Sequence, residues 1–148
     1  MNADFLDVLD ALVECGADFV VVGAHALAVH GIPRATGDID ILVRPCMDNA
    51  GRVMAAIRVF GAPVEAHGVA EVDFASPGYV YQIGLPPRRI DILTEISGLS
   101  FDEVWDTKVR VQVGEIDVFF IGREAMLKNK RASGRAKDLA DVLALEDD

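Results

Sequence analysis

Apolar residues recur at helical spacing near the start of the chain: Phe5, Leu6, Val8, Leu9, Leu12 and Val13, with Asp4, Asp7, Asp10 and Glu14 between them. The period predicts an amphipathic helix over Ala3 to Glu14, ended by Cys15-Gly16-Ala17. A continuous apolar run follows and predicts a short buried strand over Asp18 to Val22. Gly23 then opens a second helix, Ala24 to His30, which stops at Gly31 with Pro33 beyond. The loop Ile32 to Gly37 leads into a strand, D-I-D-I-L-V, ending at Val43. Asp48 to Phe60 reads as another amphipathic helix, with Asp48 as N-cap and Val53, Ala56, Ile57 and Phe60 inward. Gly61-Ala62-Pro63 breaks it.

The pattern weakens from Val64 to Leu85, where Gly68, Pro77 and Gly78 suggest a hairpin from Val69 to Ile83. Pro86-Pro87 is a stop. Arg88 to Leu93 predicts a strand, Phe101 to Asp106 a short helix or turn, and Val109 to Val113 and Ile116 to Ile121 two further strands. Two helices, Arg123 to Ala132 and Arg135 to Glu146, close the chain, separated by Ser133-Gly134. This order predicts one α/β (α+β) domain over residues 1–148: a single mixed sheet with helices packed on it and two C-terminal helices.

The candidate chemistry lies on the strands. Alternate strand residues face the same way, so Asp38 and Asp40 project from one face and Ile39, Ile41 and Val43 from the other. Two acids side by side on an otherwise apolar strand are costly to bury unless a cation neutralises them. An oxygen-only donor set suits Mg2+ or Mn2+, held by one or two carboxylates together with a substrate's phosphates. Ile39-Asp40-Ile41-Leu42 is echoed by Ile90-Asp91-Ile92-Leu93. The flanks differ, so this is a convergent local pattern, not a repeat. If the two strands are neighbours, three carboxylates converge.

Composition narrows the function classes. Hydrophobic residues make up 51% of the 148 residues, which argues against disorder. The formal net charge of -10 excludes a uniformly basic protein that coats nucleic acid, and leaves room for a local basic patch. Lys128, Lys130, Arg131, Arg135 and Lys137 form the one such concentration. Cys15 and Cys46 fit neither a zinc spacing nor a disulfide framework, as expected of free thiols in a reducing cytoplasm. The N-terminus lacks the features of a signal peptide, and no window approaches a membrane span. A cytoplasmic protein without membrane attachment is expected.

Gly23-Ala24, the spacer after it and Asp38-Ile39-Asp40 resemble the signature of the nucleotidyltransferase superfamily, whose fold is that of polymerase beta. In that family a Gly-Gly or Gly-Ser pair precedes an Asp-x-Asp strand, and a third acid lies on a later strand. Asp91 in R-I-D-I-L looks like the third acid. H-G-I-P-R-A-T-G-D-I-D-I-L-V and L-K-N-K-R-A-S-G-R-A-K-D-L-A-D resemble a small prokaryotic subgroup whose relatives include toxins of toxin–antitoxin pairs. The resemblance runs from Phe19 to Leu145. It departs at Ala24, which keeps a backbone N–H but lacks the hydroxyl of a serine.

The resemblance implies a transferase that moves a nucleoside monophosphate from a nucleoside triphosphate to a hydroxyl of RNA, protein or a small molecule. Asp38, Asp40 and Asp91 would be the catalytic, metal-holding acids. Gly23 and Ala24 would cradle the triphosphate, with Arg34, Thr36 and Lys130 as further nucleotide contacts. Arg135, Lys137 and Asp138 would contact acceptor or phosphate. In the absence of a large extra domain, the short C-terminal helices or a partner chain would present the acceptor.

Bland readings stand beside each of these. The acids would instead pair with Arg34, Arg88 or Arg89, and the basic stretch would be a solvated helix face with Lys137 and Asp141 paired one turn apart. His25, His30 and His67 have no zinc spacing and suit packing or helix-end hydrogen bonds. Trp105 with Phe101 suits a core or interface anchor. A non-catalytic nucleotide-binding or antitoxin module of the same fold stays open. A sugar transferase using Asp-x-Asp is disfavoured by the short chain and by Gly23 ahead of the acids.

Overall fold

The computed structural model describes residues 1–147. Helix α1 (Ala3–Glu14) is capped by the Asn2 side chain, which accepts from the Phe5 N–H, and it buries Phe5, Val8, Leu9, Ala11 and Leu12. Strand β1 (Phe19–Val22) is buried throughout and runs straight into α2 (Gly23–Val29). Strand β2 (Asp38–Val43) carries the acids, and α3 (Met47–Phe60) follows. After a 3-10 turn (Glu71–Ala75) come β3 (Val80–Ile83), β4 (Arg89–Leu93) and α4 (Phe101–Asp106). Strands β5 (Val109–Val113) and β6 (Ile116–Phe120) precede α5 (Arg123–Ser133) and α6 (Ala136–Glu146).

The six strands form one mixed sheet in the order β3-β4-β2-β1-β6-β5. Strand β1 pairs antiparallel with β2 and parallel with β6, while β2 and β4 run parallel. The two edge hairpins are antiparallel. Strand β1 and the second half of β2, Ile41 to Val43, therefore read as continuous apolar runs, as expected where a strand is covered on both faces, while charged residues interrupt the first halves of β2 and β4. Val20, Val21, Ile39, Ile41, Ile90 and Ile92 are fully buried. Among the described residues no helix is long and apolar enough to cross a membrane.

Two sequence expectations are corrected. The hairpin expected from Val69 to Ile83 does not form: its first half is the 3-10 turn, held where Asp73 accepts from the Ala70 N–H at 2.8 Å, with Phe74 buried beneath it. Strand β3 pairs forward with β4 instead, Tyr81 opposite Ile92. Asp48 is not an N-cap. It lies in the first turn of α3, whose N-cap is Cys46. There the acid opposes the positive helix end without making the cap hydrogen bond.

Candidate functional site

Strands β2 and β4 align residue for residue: Ile39 with Ile90, Asp40 with Asp91, Ile41 with Ile92, Leu42 with Leu93. The two echoing tetrapeptides are thus direct neighbours. Their register is fixed because the isoleucines must all face the core, and a slip of one residue would turn every acid inward. The result is a carboxylate cluster in which ligand oxygens of Asp38, Asp40 and Asp91 all lie within 4.8 Å of one another.

The cluster is crowded with like charge and short of compensation. Burial, followed by the carboxylates of Asp38 and Asp91, pushes the pKa of Asp40 up to about 7, against a smaller downward pull from Arg89. Asp91 Oδ1 is buried without a hydrogen-bond partner. Arg89 supplies the nearby positive charge. Its Nη2 donates to Asp38 Oδ2 at 2.6 Å and to Asp91 Oδ2 at 3.2 Å. Thr36 donates to Asp38 Oδ1 at 2.8 Å and holds that carboxylate in place. All donors are hard oxygens, one of them orphaned and two of them within reach of a third, so the cluster fits a divalent magnesium- or manganese-type ion.

Gly23 sits against the acids for a steric reason. Val22 pairs with Asp40 across β1 and β2, so the next residue turns directly over the Asp40 side chain. Gly23 has φ of +72°, and a Cβ there would stand 2.2 Å from Asp40 Oδ2. Only glycine allows both the backbone conformation and the approach. A cavity of about 410 Å³ opens here, lined by Gly23 and Ala24 at the start of α2, by Arg34, Thr36, Asp38 and Asp40, and by the α5–α6 pair on the far side.

The basic stretch is arranged differently from a row of free cations. Lys130 is buried, with Nζ at 2.9 Å from Asp141 Oδ2 and 3.5 Å from Asp138 Oδ1. Arg34 also pairs with Asp141, which ties the loop before β2 to α6. Asp138 accepts from Ser133 Oγ at 2.6 Å and from Arg135 Nε at 2.7 Å. Burial works to raise the Asp138 pKa, but the bonds from Ser133 and Arg135 and the nearby cations outweigh it and hold the carboxyl below its usual range. Lys130, Arg135, Lys137 and Asp138 all line the cavity.

The expected Lys137–Asp141 pair does not form, because Asp141 points inward to Lys130 and Arg34. Lys137 makes no ion pair among the described residues. Arg88, offered as a partner for the acids, pairs with Asp4 instead. Lys130→Met is expected to lower stability by roughly 3 kcal/mol in urea denaturation, since it removes a buried cation shared by two buried acids. An unchanged midpoint would contradict that role.

Asp141 and Ser133 also line the cavity, although nothing in the sequence marks them as site residues. Their part in the cavity wall follows from the packing of α6 on α5, and no local pattern carries it. His30 Nε2 donates to the Ile121 carbonyl at 2.7 Å, and His67 Nδ1 meets the Tyr81 hydroxyl at 2.8 Å. His25 packs edge-on against Phe5, and burial lowers its pKa. Trp105 stacks on Phe101 and meets Phe119 edge-on, away from the cavity lining.

The mixed sheet with paired acids on β2, a third on β4 and a glycine turn after β1 is the nucleotidyltransferase fold. Seven chains of known structure match this one. One is the crystal structure of a proposed nucleotidyltransferase from Thermotoga maritima, aligned over 97% of this chain and 88% of that one with a TM-score of 0.59 and 16% sequence identity. No protein-family model matches the sequence, and no curated protein matches it.

Proposed function

We propose that this protein is a divalent-metal-dependent nucleotidyltransferase, moving a nucleoside monophosphate from a nucleoside triphosphate to a hydroxyl of RNA, protein or a small molecule. The observation that carries the reading is the in-register pairing of Asp40 with Asp91, which gathers three carboxylates into one cluster, two of them, Asp38 and Asp40, lining a cavity of nucleotide size. Asp38, Asp40 and Asp91 hold the ions. Bound there, magnesium or manganese would neutralise the triphosphate and lower the pKa of the attacking hydroxyl. Gly23 and Ala24 present backbone N–H groups to the phosphates at the start of α2, and their lack of bulk lets the chain approach.

Asp91, the most buried of the three acids, takes the proton of the acceptor hydroxyl. The acceptor oxygen then bonds to the α-phosphorus as the bond to pyrophosphate breaks. Thr36 fixes the Asp38 carboxylate, and Arg34, bound to Asp141, holds the loop that carries Thr36. Arg135 and Lys137 offer positive charge at the cavity rim for acceptor or phosphate. The motif likeness to toxins of toxin–antitoxin pairs extends the proposal to macromolecular acceptors in the cytoplasm. Ala24 and the internal pairing of Lys130 are the two features that speak for a non-catalytic nucleotide-binding module as the second reading, and the intact set of three acids speaks against it.

The test is label transfer. Each α-labelled nucleoside triphosphate is incubated with Mg2+ or Mn2+, the protein, and total cell RNA and protein, with Asp38→Asn/Asp40→Asn as control. Label on a macromolecule with the wild type and none with the control is the expected result. Metal-dependent nucleotide binding with no transfer of any of the four would replace the transferase by a binding module.

A further inference from the structure

The counter-charge of the acid cluster is built into the sheet. Arg89 is the first residue of β4, two before Asp91, so its side chain leaves the strand on the same face. The parallel register sets it directly opposite Asp38. One guanidinium therefore spans two of the three acids: Nη2 lies 2.6 Å from Asp38 Oδ2 and 3.2 Å from Asp91 Oδ2, and Nε lies 3.1 Å from Asp91 Oδ1. The last contact is close but misaligned. Neither Arg89 Nε nor Asp91 Oδ1 gains a hydrogen bond from it. The pairing is thus incomplete at a buried oxygen of Asp91. Asp40 receives no hydrogen bond from Arg89 at all.

An arginine fork matches one carboxylate well, but it carries a single charge spread over a plane. It cannot converge on three carboxylates as a compact divalent ion does. The Arg89 side chain is 31% exposed, so it has open solvent into which to swing. No second cation contacts Asp38 or Asp91 among the described residues.

We propose that Arg89 is the resident counter-cation of the Asp38–Asp40–Asp91 cluster, holding the acids together in the absence of metal and competing with a divalent ion for Asp38 and Asp91. This rests on the reading of the cluster as a metal site. Because every ion entering must first displace the guanidinium, the affinity for metal alone is set low by Arg89. The freed guanidinium, a good bidentate phosphate partner by chemistry, stays on the strand beside Asp38, an acid that lines the cavity.

The test uses the full chain without nucleotide. Mn2+ binding is followed by calorimetry and by the EPR signal of free Mn2+ for wild type, Arg89→Gln, Arg89→Lys and Asp40→Asn. Arg89→Gln is expected to bind Mn2+ about tenfold more tightly than wild type, and Arg89→Lys, which keeps the charge, to stay near wild type. Thermal melts supply the second readout: Arg89→Gln melts below wild type in EDTA, and saturating Mn2+ closes the gap. A merely structural arginine would leave that gap open.

Equal or weaker Mn2+ affinity in Arg89→Gln, with binding still abolished in Asp40→Asn, overturns the proposal and leaves the metal site standing. Absence of Mn2+ binding in every variant overturns both.

Discussion

Asp40→Asn is expected to stabilise the metal-free protein above neutral pH while reducing nucleotidyl transfer roughly a thousandfold or more. The two effects have one cause. Asp40 is driven up to about 7 from an ordinary value of 3.8 by burial and by its two acidic neighbours. Between those values the folded chain holds a proton that the unfolded chain has released. Stability linked to Asp40 is therefore fully present below about pH 4 and is lost as pH rises through about 7. Asparagine keeps the shape and never ionises, so this loss disappears.

Melting wild type and Asp40→Asn in EDTA across pH 4 to pH 8 checks the sign: the variant should gain on the wild type toward the alkaline end. Parallel curves would show that Asp40 ionises as freely in the folded chain as in the unfolded one. Added Mn2+ should stabilise only the wild type, because an ion that binds the folded state alone shifts the equilibrium by mass action.

Gly23→Ala is the second change of large expected effect. Its methyl group would need the space now occupied by Asp40 Oδ2, 2.2 Å away, and its backbone would have to remain at φ of +72°. The left-handed conformation costs a non-glycine residue about 1 kcal/mol, and relieving the clash adds about 1–3 kcal/mol. The side chain most easily moved is Asp40 itself, so the damage falls on the acid cluster. We expect transfer to drop about a hundredfold or more and Mn2+ affinity to fall with it. Denaturant midpoints together with Mn2+ titration check this. A variant that loses stability but binds Mn2+ as the wild type does would show that β1 and α2, not Asp40, had yielded. Gly16 is a useful control: its φ is +71°, yet nothing stands within 4 Å of a Cβ there. Gly16→Ala should show the backbone cost without the loss of metal.

Several features were legible in the residues. The 3.6-residue period of Phe5, Val8, Leu9 and Leu12 gives α1 with the bounds expected, since an amphipathic stripe needs only a core to face. Asp38 and Asp40 lie on one strand face with Ile39 and Ile41 opposite because the alternation is local. The 3-10 turn at Glu71–Ala75 was not legible, because its apolar positions, Val72 and Phe74, alternate as a strand would. What decides it is a side-chain bond from Asp73 and the burial of Phe74.

The amino-acid sequence by itself determined the elements, the presence of paired acids on a strand, and the likeness of Ile39–Leu42 to Ile90–Leu93. Hydrophobic period, turn residues and strand alternation are properties of neighbouring positions. Only the tertiary structure decided that those two tetrapeptides lie side by side in register, that Gly23 closes over Asp40, and that Arg89 bridges Asp38 and Asp91. It also decided that Lys130 turns inward to Asp138 and Asp141. Each of these depends on which distant segment is adjacent. Adjacency is settled by burying the apolar faces of the whole sheet at once, a sum over the chain that no single stretch contains.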